Sequence, residues 1–168
     1  MGLGNWIRNH PRGLERMYPG SKWLFMRLDP VIKRLGYERT NRWLYLPEKL
    51  AKEILFDCRM CGQCILHSTG MTCPMTCPKE LRNGPCGGVR ADGGCEVIQV
   101  GKCVWVDAYE RSLKMNQFGD DIGNIQPPVN RQLDGSSAWV TMLNQEDKRL
   151  PVGWIDIDNI SQSTRIHR

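Results

Sequence analysis

The chain has 168 residues, 40% of them hydrophobic, and a formal charge of +5. That is enough for one domain with extensions, and no stretch nears the roughly 20 apolar residues that span a bilayer. The opening Met1-Gly2-Leu3-Gly4-Asn5-Trp6 lacks a secretory pattern, and Trp6 stands where a myristoylation signal needs Ser or Thr, so a cytoplasmic protein is expected. The basic residues are scattered, without the clustered face that nucleic-acid binding uses.

Three regions follow in chain order: an N-terminal helical segment (1–56), a cysteine-rich domain (57–115) and an extended C-terminal arm (116–168). In the first, Ser21 is a candidate cap for a helix over Lys22–Leu28, and Pro30 should break or restart it. Val31, Ile32 and Leu35 continue the apolar stripe until Gly36 stops it. A second helix is expected from Pro47 to Phe56, with Leu50, Ala51, Ile54 and Leu55 on one face.

The cysteine-rich region is dense in Gly, Pro, Asn and Asp, which favours turns over regular elements. A short helix should follow from Val104 to about Met115, with Val104, Ala108 and Leu113 facing inward. The arm carries two apolar clusters, Trp139-Val140-Met142-Leu143 and Trp154-Ile155-Ile157-Ile160, suited to packing on a partner. The fold class expected is mainly α with a long irregular cysteine-rich loop region. With 17 Gly, 10 Pro and scattered apolar residues, the core is thin and needs metal, disulfides or a partner. Six Trp point to large contact surfaces.

All eight cysteines lie in the middle region: Cys58, Cys61, Cys64, Cys73, Cys77, Cys86, Cys95 and Cys103. Disulfides are disfavoured in a reducing compartment. Two zinc ions are an alternative, although zinc sites favour paired knuckles over the triple run Cys58-x2-Cys61-x2-Cys64. That run fits a [4Fe–4S] cubane, because one short loop can set a thiolate on three irons. Eight cysteines make two cubanes with none left over, and Cys73 and Cys77 are each followed by Pro, as the distant ligand is in bacterial ferredoxins.

Cys58, Cys61 and Cys64 should share one cluster; the other five supply its fourth ligand and the whole second cluster. With eight thiolates and two cores of about +2, the ligand sphere adds about −4, bringing the holo-protein near neutral. His67, between Cys64 and Cys73, is a candidate ligand but is read rather as a donor beside the ligands or as exposed, and His10 and His167 as solvated. Asp57, Asp107 and Glu110 are read as capping or solubilising. No nucleophile elbow, dinucleotide fingerprint or P-loop is present, so no catalytic set is expected.

Several strings together resemble the small cysteine-rich module of bacterial methylenetetrahydrofolate reductase. They are Cys58-Arg59-Met60-Cys61-Gly62-Gln63-Cys64, Cys73-Pro74, Cys77-Pro78 and Leu81-Arg82-Asn83-Gly84-Pro85-Cys86-Gly87-Gly88. Lys102–Arg111, Pro127-Pro128 and Leu133–Trp139 are similar too, so the resemblance covers roughly residues 46–143. It implies an accessory subunit, iron–sulfur-loaded in acetogens, beside a larger catalytic subunit that holds FAD or FMN and the folate site. It implies electron relay between that flavin and an external carrier such as a ferredoxin, during methylene- and methyl-tetrahydrofolate interconversion. A zinc-stabilised scaffold of the same reductase and a free ferredoxin-like carrier are the alternatives.

Overall fold

The structure is a computed structural model, and it describes residues 10–154. It is mainly helical, with four α-helices in the order α1 (Pro11–Leu35), α2 (Tyr37–Phe56), α3 (Val104–Ser112) and α4 (Ala138–Leu143). Among the described residues the only strand-like pairings are three isolated bridges, Cys61 with Ser136, Val89 with Cys95 and Gly94 with Lys102. Five short 3₁₀ turns punctuate the remainder, most of which is irregular.

The first two helices depart from the sequence expectation. Ser21 caps nothing; it lies inside α1, and its hydroxyl donates to the Met17 carbonyl at 3.0 Å. The helix runs through both Pro19 and Pro30, and α2 begins ten residues before Pro47 and runs through it. An internal proline removes one helical hydrogen bond. All three prolines are exposed, so each ring projects from its helix toward solvent. Gly36 does separate the helices as expected, at φ 87°, a backbone region that glycine enters without strain.

The hairpin of α1 and α2 buries little. No residue of α2 is fully buried, so the face carrying Leu50, Ala51, Ile54 and Leu55 does not form a core. Met17, Leu24, Leu28, Val31 and Leu35 on α1, with Trp43, Leu46, Leu50 and Ile54 on α2, are 41–79% exposed. At 100° per residue the members of each set fall on one side of their helix. Each helix therefore carries an apolar stripe that no other part of this chain covers, among the described residues.

Two small cores hold the molecule together. One gathers Leu66, Met71, Cys73, Met75 and Met115, with Leu14, Tyr18 and Phe56 of the hairpin packed on it. The other gathers Cys77, Cys103, Trp105 and Ala108. Helix α3 ends at Ser112, short of Met115. Ala108 is buried as expected and Val104 half-buried, but Leu113 faces solvent and Trp105 takes the inward position.

Residues 116–154 fold back on this chain, α4 contacting both α1 and α2. The Trp139–Leu143 cluster forms α4. Of the second apolar cluster, Ile155, Ile157 and Ile160 lie outside the described residues, as do His167 and the Met1–Trp6 start.

Candidate metal centre

The cysteine loop starts where α2 stops. Asp57 adopts a left-handed conformation at φ 52°, its N–H donating to Glu53, and the Cys58 N–H donates to the Lys52 carbonyl at 3.4 Å. Met60 and Gly62 are also left-handed, at φ 48° and 72°. These alternating reversals coil the short spacing around a common centre. A side chain on Gly62 would strike the Leu133 carbonyl oxygen, so only glycine fits there.

Cys58, Cys61, Cys64 and Cys73 line one pocket, together with Glu48, Lys52, Gln63 and Arg82. Cys73 thus joins the triple run as its fourth member. The Met60 N–H donates to the Cys58 sulfur at 3.4 Å, and the Cys61 thiol lies 3.8 Å from the Gln63 carbonyl. A hydrogen bond from Cys58 to Cys73, then burial, pushes the Cys58 thiol up. The same bond, helped by the Arg59 and Met75 backbone N–H groups, holds Cys73 down against its burial. Burial raises Cys61. Among the described residues no three His, Cys, Asp or Glu side chains converge tightly enough to chelate one ion; the four thiols surround a pocket rather than a point.

The wall of this pocket is charged in a telling way. Arg82 is 5% exposed. Its Nη1 donates to the Gln63 carbonyl at 2.7 Å, and its Nε is buried with no partner. No carboxylate forms an ion pair with it among the described residues. Burial lowers its pKa, while Cys61, Cys64, the more distant carboxylate of Asp147 and Cys73 pull it back up. Lys52 is also largely buried and pairs with Glu48 at 2.5 Å. Burial opposes its charge, but Cys64 and Glu48 raise its pKa overall.

A buried, unpaired guanidinium is costly unless an anion faces it. The only acidic side chains that share its pocket, Glu48 apart, are the four thiols. The donor set therefore fits a metal group whose thiolate shell carries net negative charge, with the free Arg82 N–H to receive it.

Residues far along the chain close this pocket. Gly135 N–H donates to the Met60 carbonyl at 2.8 Å, and the Thr141 hydroxyl donates to the Gly62 carbonyl. Ser137, at the start of α4, donates its hydroxyl to Glu48. Gln63 is 2% exposed; its amide donates to the Asp147 carbonyl at 3.0 Å and accepts from Asn130 N–H at 2.7 Å.

The remaining four cysteines lie outside this pocket. Cys77 and Cys103 are buried in the same core. The Cys103 N–H donates to Gly93 at 2.9 Å, and the Gly94–Lys102 bridge brings Cys95 alongside. Lys79 lies 3.6 Å from the Cys86 sulfur and pairs with Glu96, next to Cys95. All eight cysteines are free of disulfides.

His67 corrects the expectation. It neither lies free in solvent nor joins the thiols. Its ring stacks on Tyr18, centroids 4.5 Å apart, and meets Phe118 edge-on at 5.7 Å. Burial lowers its pKa. Tyr18 and Phe25 in turn stack on Trp139, so a column of rings ties α1 to α4. Asp107 and Glu110 act as expected at the surface, both pairing with Lys102.

Glu48, Lys52, Gln63 and Arg82 were not singled out by sequence reasoning. The Glu48–Lys52 spacing of four on a helix was the one visible signal, and Arg82 lay inside the Leu-Arg-Asn-Gly-Pro-Cys string.

Fold and site together define a small helical module in which four cysteines line one pocket beside two buried cations. A family described as methylene-tetrahydrofolate reductase C terminal matches residues 37–132, more than half of the chain, and the chain belongs to that family. No curated protein and no solved structure matches it. No helix among the described residues is long and apolar enough to cross a membrane.

Proposed function

We propose that this chain is the electron-transfer subunit of a methylenetetrahydrofolate reductase complex, holding one [4Fe–4S] cluster on each group of four cysteines. Membership of the reductase family supplies the reaction context. The observation that carries the cofactor reading is the pocket of Cys58, Cys61, Cys64 and Cys73 around which Arg82 is buried without a carboxylate. Four ligands on one zinc ion, with bonds of about 2.3 Å, would bring the sulfurs to about 3.8 Å of one another. The triple spacing Cys58-x2-Cys61-x2-Cys64 with Cys73 suits a group of several metal atoms, each taking one thiolate. Such a cluster would supply one-electron transfer; the protein's residues hold it, shield it and balance its charge.

The exposed stripes of α1 and α2 support a partner. Monomeric proteins rarely leave so long an apolar surface uncovered, and a larger flavin-bearing reductase subunit is the occupant that the family suggests. A cavity of about 720 Å³ between α1, α2 and α4 has Cys64 on its wall, so the first cysteine group is approached from the hairpin side.

The test is iron, sulfide and zinc analysis of the chain purified anaerobically with its reductase subunit. About eight irons per chain and a visible absorption that bleaches on reduction are expected. Cys61→Ser and Cys95→Ser should each lose about half of the iron. A colourless protein holding about two zinc ions would overturn electron transfer and leave a structural subunit.

A further inference from the structure

The two cysteine groups differ in the charge around them. Against the first lie Arg82, 5% exposed, and Lys52, whose side chain is 14% exposed. Against the second lie Lys79, near the Cys86 sulfur, and Arg90, whose Nη1 donates to the Cys95 carbonyl at 2.9 Å. Both of these are more than a third exposed, and each pairs with a carboxylate, Glu96 or Asp92. Solvent and counter-charge screen the second pair strongly.

At the first group the two cations are not equal. Glu48 lines the same pocket and offsets much of the charge on Lys52. Arg82 has no such counter-ion. The carboxylate of Asp147 attracts Arg82 through space but makes no ion pair with it among the described residues. The Arg82 Nε–H is a buried donor without an acceptor.

We propose that Arg82 sets the reduction potential of the group on Cys58, Cys61, Cys64 and Cys73, holding it above that of the group on Cys77, Cys86, Cys95 and Cys103. This rests on the iron–sulfur reading above. Reduction adds one negative charge to a cluster, and a fixed cation in a dry pocket stabilises that charge. A hydrogen bond to a cluster sulfur acts in the same direction. Arg82 is a positioning residue, acting through the cluster rather than on substrate. With clusters bound, a higher potential on Cys58, Cys61, Cys64 and Cys73 would favour the electron resting there, on the wall of the cavity that the α1–α2 hairpin lines.

The experiment is a potentiometric titration of the iron-loaded full chain, followed by electron paramagnetic resonance. Iron analysis comes first, because a chain without iron overturns the cluster reading itself. With about eight irons bound, Arg82→Gln should lower the midpoint of one cluster by at least tenfold in its reduced-to-oxidised ratio, 59 mV for one electron. The other midpoint should stay fixed, and Arg82→Lys should recover most of the shift. Lys52→Gln, which keeps Arg82, should move the same cluster in the same direction by less. Lys79→Gln should move only the other cluster. Unchanged midpoints in Arg82→Gln, or equal shifts of both clusters, would overturn the proposal while leaving the cluster reading intact. Should Arg82→Gln lose its iron, Lys52→Gln and Arg82→Lys decide the matter in the same terms.

Discussion

Glu15 and Phe118 are joined by a hydrogen bond across 103 residues, the Phe118 N–H donating to the Glu15 carboxylate at 2.9 Å. The N–H groups of Asn116 and Gln117 donate to the same carboxylate. One buried side chain of α1 thus satisfies three consecutive backbone donors and pins the loop after α3. Burial disfavours the Glu15 charge, but the three donors and Arg12 outweigh it and hold the pKa below the usual glutamate value.

Glu15→Gln should destabilise the chain by about 2 kcal/mol at neutral pH, the typical worth of hydrogen bonds to a charged group. A folded-state pKa below the unfolded one contributes stability that is complete above the unfolded value. It is lost as pH falls through the lower folded value. Urea unfolding of both proteins at neutral pH and near pH 4 checks this. The difference should narrow in acid, and a constant difference would contradict the ionic origin.

Gln63→Leu removes the partner of two buried backbone groups, the Asn130 N–H and the Asp147 carbonyl. Stranding them should destabilise the chain by about 3 kcal/mol. Gln132→Leu, at an exposed neighbouring position, should change stability by less than about 0.5 kcal/mol. Chemical denaturation of the pair separates the buried role from a general effect of the substitution.

Gly62→Ala combines a left-handed backbone with a collision against Leu133. Strain of about 1–3 kcal/mol is expected, concentrated in the loop that carries Cys61 and Cys64. Metal content should fall by about half, the second group keeping its share. Full metal content in Gly62→Ala would mean that the loop does not need this conformation to bind.

Leu50→Asp with Ile54→Asp places two charges on the apolar stripe of α2. Both residues are exposed, so folding stability should change by no more than about 0.5 kcal/mol. Co-purification with the reductase subunit should be lost while metal content stays. A complex that survives the double substitution would show that the stripe is not the docking face.

The helical hairpin, its break at Gly36 and the irregular cysteine region were legible in the sequence. Each follows from local chemistry: apolar spacing, glycine's freedom, and dense turn residues. The continuity of α1 and α2 through Pro19, Pro30 and Pro47 was not legible. Local rules end a helix at an internal proline, whereas here each proline faces water. The triple run Cys58, Cys61 and Cys64 was readable from spacing. Cys73 as their companion was not, because five later cysteines were equivalent on paper. Arg82 was hidden among 23 basic residues, since its meaning lies in being buried beside the thiols with no ion pair among the described residues.

The lid made by Gly135, Ser137, Thr141 and Asp147 has a consequence for biogenesis. Cys58 to Cys73 leave the ribosome early, yet the contacts that shut their pocket lie some 62 to 89 residues downstream: Gly135 reaches back to Met60, and Ser137 to Glu48. During synthesis the thiols are assembled on a finished α2 but still open to the surroundings. A group bound by those thiols would meet an open pocket in that interval. Only once residues 135–147 have been made can their contacts close that side of the pocket, so the chain's own order places the cysteines before their cover.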